Sequence, residues 1–209
     1  MIRKRTEKFD EIMYRAICTT VRDTLEDILK TEYKNEVELL RADIPEITEI
    51  PVIKFMEAKE ILMKKFKYKP SDMKDFDPEE EQLLGKYAKK QFNSDFIFVT
   101  HYPSRKRPFY TMDDPDDPEY TLSFDLLFRG MEITSGGQRV HDYFAQVEKM
   151  KRLGMNPDEF ETYLMLHKYG APPHGGLGLG LERLTMHLLG FKNVREAAMF
   201  PRDINRVTP

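Results

Sequence analysis

The stretch GMEITSGGQRVHDY, residues 130–143, gathers Glu132, Thr134, Ser135, Gln138, Arg139 and His141 around Gly136 and Gly137. Just before it, TLSFDLLF carries Asp125 between apolar neighbours. If Arg129-Gly130 is a two-residue hairpin turn, residue 128 faces 131, 127 faces 132 and 125 faces 134. Asp125 and Glu132 then share one sheet face as diagonal neighbours. Two carboxylates so placed repel each other unless a cation lies between them, and a magnesium ion with phosphate oxygens meets that need. Strict alternation sends Ser135 and Arg139 to the other face. One β-bulge between Glu132 and Ser135 would instead bring Ser135, Gly137, Arg139 and His141 beside the carboxylates. That face would then hold two metal-binding carboxylates, a hydroxyl and an arginine fork suited to a substrate carboxylate. A solvated face with surface ion pairs fits the same residues, and the turn lacks the usual Asn-Gly or leading glycine.

A second segment, HGGLGLGLERLTMHLL, alternates Gly176, Gly178 and Gly180 with Leu177, Leu179 and Leu181. As a strand it has one apolar face and one face of bare backbone that can admit a flat ring such as a purine; close packing of a glycine strand on a helix is the plainer alternative. Leu181, Leu184 and Leu188 continue at helical spacing, which puts Arg183 in a first helical turn, where anions are favoured. Neither G-x-G-x-x-G nor G-x-x-x-x-G-K-[ST] occurs, so Rossmann and P-loop nucleotide sites are excluded. The five histidines show no H-x3-H spacing; His101 and His174 stand in loop-like settings open to a ligand. No G-x-S-x-G is present, and Cys18 has no nearby partner for nucleophilic catalysis. SRKRPFY, residues 104–110, puts three cations beside two aromatics and reads as a solvated loop or a phosphate or RNA contact.

The elements that must carry these groups follow from periodicity. A helix is expected over 7–30, an extended run over 44–53, and a helix over 55–66. Another is expected over 78–92, capped by Asp77 with Pro78 at its first position. Strands are expected over 94–103, RPFYTM and 121–128, and helices over 143–153 and 157–168, the latter capped by Asn156. The final strand-into-helix stops at Gly190. Helices followed by an antiparallel-looking sheet give an α+β fold, a mainly helical 1–93 and a sheet core over 94–209. The chain has 209 residues, 40% apolar and 33% charged, with net charge −3. It suits one globular domain, and a nucleic-acid partner would need a local basic patch. One cysteine excludes an intrachain disulfide, no apolar run approaches a membrane span, and MIRKRTEKFDE lacks a secretory core, so a cytoplasmic location is expected.

FDLLFRGMEITSGGQRVHDY and YGAPPHGGLGLGLERLTMHLLGFKNVREAAMFPRDINRVTP closely resemble the C-terminal half of the catalytic domain of class II aspartyl-tRNA synthetases, the second segment holding motif 3. The archaeal and eukaryotic type, with its nondiscriminating members, is the nearer match. Asparaginyl-tRNA synthetases are similar but usually carry threonine where Asp203 stands. The resemblance runs from about Phe96 to Pro209. It implies a class II antiparallel-sheet catalytic fold and adenylation of aspartate by ATP with Mg²⁺, followed by transfer to tRNA(Asp) and, in nondiscriminating members, tRNA(Asn). It gives Glu132 and Ser135 to Mg²⁺ and the ATP phosphates, with Ser135 also near aspartate, and Asp125 to the second metal-side carboxylate. It gives Arg139 to the aspartate side-chain carboxylate. Gly180, Leu181, Glu182 and Arg183 fall in the ATP-binding part of motif 3, with Arg183 near the γ-phosphate. Motif 1 with its homodimer interface, motif 2 with its α-phosphate arginine, and the anticodon-binding domain find no match, so an exposed sheet edge and half a pocket are expected. A synthetase portion is the first reading. A stand-alone paralogue such as an aspartate-adenylating asparagine synthetase, and a non-catalytic aspartate- or nucleotide-binding module, are the others.

Overall fold

A computed structural model describes residues 14–208. Five strands form one mixed sheet in the order β1-β2-β3-β4-β5: Val52–Lys54, Phe96–Thr100, Ser123–Phe128, Met131–Arg139 and His174–Leu179. Strand β1 runs parallel to β2 and the other pairings are antiparallel, so the first third contributes a strand and the sheet is not wholly antiparallel. Among the described residues seven helices pack around it. Helix α1 covers 14–22 and continues as a π-helical Asp23–Glu32; the part of the expected 7–30 helix before residue 14 lies outside the described residues. The others are α2 (Lys34–Leu40), α3 (Phe55–Lys65), α4 (Pro78–Phe92), α5 (Tyr143–Arg152), α6 (Glu161–Lys168) and α7 (Leu181–Leu188). None among the described residues is long and apolar enough to cross a membrane.

Two cores form because β2 and β3 are apolar on both faces. On one face Phe96, Phe98, Phe124, Leu126 and Phe128 pack against Ile17 and Leu25 of α1 and Leu188 of α7. On the other, Ile97, Val99 and Leu127 meet Phe55, Ala58 and Leu62 of α3 and Leu84 and Ala88 of α4. Cys18 is half-buried against the first core, a packing residue.

Several boundaries differ from the sequence reading. RPFYTM is not a strand: residues 104–106 form a 3₁₀ turn and only isolated bridges such as Thr111 with Arg139 follow, since Pro108 lacks the N–H a ladder needs. The expected 157–168 helix splits into a 3₁₀ turn, Pro157–Phe160, and α6, with Asn156 capping the turn. Gly180 lies beyond β5, at the N-cap of α7. Asp203 organises a terminal turn by accepting the N–H groups of Asn205 and Arg206 and pairing with Arg195.

Helix α4 is held tightly. Asp77 caps it in a reciprocal box with Glu80, and Pro78 opens it. The ammonium of fully buried Lys59 on α3 donates to Glu80 at 2.6 Å and to the carbonyls of Asp72 and Asp75 at 2.8 and 2.6 Å. All three of its protons are thereby used, and the buried charge is tolerable. Near its middle α4 touches the β3–β4 turn: a Cβ on Gly85 would lie 2.5 Å from the Gly130 nitrogen, and one on Gly130 would lie 2.7 Å from Gln82 Cα. Lys59→Ala should cost about 3–5 kcal/mol in urea unfolding, because Glu80 is left buried and unpaired. Lys64→Ala, which removes only an exposed pair with Glu60, should cost under about 0.5 kcal/mol.

Candidate active site

The turn falls at Arg129-Gly130 with φ of 50° and 79°, both positive as a type I′ hairpin requires. Arg129 occupies an unusual conformation for a side-chain-bearing residue, and its anchors explain it. Its N–H donates to the Asp95 carbonyl, and its guanidinium bonds Asp95, Asp43 and the His187 carbonyl. It also lies 4.8 Å from the Phe128 ring centre.

The register runs Phe128 with Met131 and Leu127 with Glu132, then shifts. Leu126 pairs with Thr134 and Asp125 with Ser135, leaving Ile133 as the extra residue of a bulge. Asp125 therefore faces Ser135, not residue 134. Ser135, Gly137 and Arg139 stand on the face of Asp125, where Gly176 and Gly178 of β5 pair opposite Gly137 and Ser135.

Arg107 is the residue that sequence reasoning missed. It turns out of the 104–110 loop into the sheet face, donating to Asp125 Oδ2 at 2.6 Å and Ser135 Oγ at 3.1 Å. Its guanidinium lies 3.8 Å from the Tyr102 ring centre. Only the tertiary approach of the loop reveals this; its local signal, three cations beside two aromatics, suggested solvent or phosphate instead. A guanidinium thus supplies part of the positive charge that two facing carboxylates demand. Asp125 Oδ1 is buried with no partner among the described residues. Burial, then Asp125, pushes the Glu132 carboxyl up, against the pull of Arg183 and Arg107. Arg183, in the first turn of α7, donates to the Glu132 carbonyl at 2.7 Å and lies 3.9 Å from its carboxylate.

Arg139 lies over Tyr110, 5.0 Å from the ring centre. A Cβ at Gly176 would sit 3.0 Å from its guanidinium, so the missing side chain is what admits it. It has no carboxylate partner among the described residues. A Cβ at Gly178 would meet nothing within 4 Å, leaving an open floor beside Ser135. These residues line a cleft of about 280 Å³ with Arg107, Tyr110 and Gln138. Leu181 and Glu182 are exposed on the first turn of α7. The other candidates do not line the cleft: His101 shares a hydrogen bond with Thr100, and His174, paired with Arg139 at the start of β5, bonds the Pro172 carbonyl. A larger cleft of about 720 Å³ around Arg129, Lys86 and Asp95 contains none of the predicted residues.

Among the described residues no three metal-type side chains cluster as a closed cation cage. Asp125 Oδ1 and the Glu132 carboxylate are nonetheless oxygen donors suited to a hard cation whose shell is completed by phosphate oxygens and water, as Mg²⁺ prefers. A cation at the carboxylates, an open glycine floor and an unpaired arginine can together receive a polyphosphate and a carboxylic acid.

The family model for tRNA synthetases class II (D, K and N) matches residues 7–204. The aspartate–tRNA(Asp/Asn) ligase of Thermus thermophilus is 50% identical over 188 residues, covering 90% of this chain and 43% of the ligase. Aspartyl tRNA synthetase from Entamoeba histolytica superposes with a TM-score of 0.82 at 33% identity, over 97% of this chain and 41% of that one. Asparaginyl-tRNA synthetase from Pyrococcus horikoshii complexed with asparaginyl-adenylate gives 0.77 at 33% identity, over 96% and 45%. The chain thus spans less than half the length of the proteins it matches. With nearly its whole length accounted for by one family and one fold, the chain belongs to the class II tRNA synthetases of the aspartate, lysine and asparagine group.

Proposed function

We propose that this chain is the motif 3 portion of an aspartate–tRNA ligase catalytic domain, with residues 1–93 and 94–209 as one unit of it. The observation that carries the reading is Arg139: an unpaired guanidinium, positioned by Tyr110 and Gly176, in a cleft it shares with Ser135 and with Arg107, which in turn holds Asp125. Its charge suits a side-chain carboxylate better than an amide, which favours aspartate over asparagine. Glu132, Asp125 and Ser135 are proposed to hold Mg²⁺ and phosphate oxygens, and Gly180 to Arg183 the ATP. The bound ion would neutralise charge on the phosphates.

The aspartate α-carboxylate would attack the α-phosphorus of ATP, and pyrophosphate would leave. The terminal ribose hydroxyl of tRNA would then take the aspartyl group from AMP. In this scheme Arg139 fixes the substrate's far end and Gly178 leaves room for the ligand. Arg183 adds positive charge beside Glu132, and Arg107 holds Ser135 and Asp125 in place. A homodimer and recognition of tRNA(Asp) or tRNA(Asn) belong to the same proposal and to the full-length protein. The edge position of β5, with Leu177, Leu179 and Leu181 exposed, agrees with a site shared with further chain.

In a protein of the relatives' full length carrying this sequence, aspartate should drive isotope exchange between pyrophosphate and ATP. Arg139→Ala should lower kcat/KM for aspartate about 100-fold or more, as expected for losing one side of a buried charge pair. Glu132→Ala should lower the rate similarly while raising the Mg²⁺ requirement; unchanged exchange in both variants rejects the assignment. Arg107→Ala should reduce both activity and stability, with the thermal midpoint down by several degrees, since it leaves Asp125 buried without a counterion.

A further inference from the structure

Glu132 is anchored in an unusual way. In a two-residue hairpin the pair next to the turn is hydrogen-bonded and the following pair, Leu127 with Glu132, is not. Both backbone groups of Glu132 therefore point away from β3. Strand β5 does not meet them, because its pairing ends with Leu179 opposite Thr134 and the Gly180 N–H takes the Ile133 carbonyl. Two helices fill the gap. The Arg183 side chain of α7 donates to the Glu132 carbonyl. Glu81 Oε2 of α4 accepts the Glu132 N–H at 3.1 Å.

From this we infer that Glu81 is a positioning residue for the phosphate and cation site: it takes the N–H that neither β3 nor β5 pairs and so fixes the backbone from which the Glu132 carboxylate projects. Nothing in the sequence marks Glu81 among the three glutamates that open α4. The helix selects it. Glu80 is drawn to Lys59, and Gly85 and Gln82 seat α4 on the turn with no room for a Cβ at Gly85 or Gly130. The next residue is thereby delivered to the start of β4. The placement is unfavourable for Glu81 itself: burial, with Glu132 and Asp125 nearby, pushes its carboxyl up to about 7, against the Glu132 N–H that pulls it down.

The proposal rests on the synthetase reading for the identity of the ligand, so its test has a part that does not. In this chain, selectively labelled for NMR, the Glu132 amide should be slow to exchange with solvent. Glu81→Ala should speed that exchange at least tenfold and Glu81→Gln, which keeps an acceptor oxygen, should not. In a protein of the relatives' full length carrying this sequence, calorimetric titration with Mg²⁺–ATP should show affinity about 10- to 100-fold weaker in Glu81→Ala and within about threefold of the parent in Glu81→Gln. Circular dichroism and the exchange of core amides in β2 report whether the alanine variant remains folded. If it does not, the Gln variant decides: a fast Glu132 amide in that folded protein overturns the proposal. A Glu132 amide unprotected in the parent, or a Gln variant as defective as the Ala variant, also overturns it. Protection that depends on Glu81, in a protein of the relatives' full length that binds no Mg²⁺–ATP, sustains the positioning role and instead removes the assignment of Glu132 to Mg²⁺ and ATP.

Discussion

The site depends on one extra residue. With Ile133 inserted opposite the β3 ladder, every side chain beyond it on β4 changes face. In a bulge-free strand Asp125 would face Thr134, and Ser135 and Arg139 would point into the Phe124 and Leu126 core. With the bulge, polar groups share the face of Asp125, and Gly136 takes the crowded place against Phe124 where a Cβ would lie 2.6 Å from the ring. A seemingly excessive density of polar residues in a buried strand thus divides into two groups, one facing the cleft and one facing the core.

Charge balance is the second constraint. Asp125 and Glu132 are held near each other and partly removed from water, an arrangement that is costly without counter-charge. Arg107 and Arg183 supply it from opposite sides, one from a loop and one from a helix start. Arg139 is left without an acidic partner among the described residues. Arginine is suited to these places because its planar fork stays charged and can bond two oxygens or stack on a ring at once, as Arg107 does with Asp125, Ser135 and Tyr102.

The helices do more than cover the sheet. Helix α4 is fixed by its cap, by the buried Lys59–Glu80 pair and by glycine contact with the hairpin turn. Those restraints act at the same end of the sheet as Glu132, so packing in the second core and geometry at the site are coupled through a rigid element. Strand β5 lies at the opposite edge from β1 with Leu177 and Leu179 nearly half exposed. Such an edge invites pairing, and the chain's relatives are more than twice as long as the segment they share with it.

Much of this was legible in order along the chain. Local signals determined α4 with Asp77 and Pro78, the strand-to-helix change at Gly180 and the stop at Gly190, because caps, prolines and glycines act over three or four residues. The motifs pointed to the family and supplied Asp125, Glu132, Ser135, Arg139 and Arg183 as the proposed site residues, because chemistry is carried by residue type. Only the tertiary structure decided that the bulge falls at Ile133, that Arg107 enters the sheet face instead of solvent, that RPFYTM forms no strand, and that Glu81 reaches Glu132. The contacts of Arg107 and Glu81 join segments distant in sequence, 28 residues apart for Arg107 and Ser135 and 51 for Glu81 and Glu132. Local propensity carries no information about a partner that arrives only when the chain has packed.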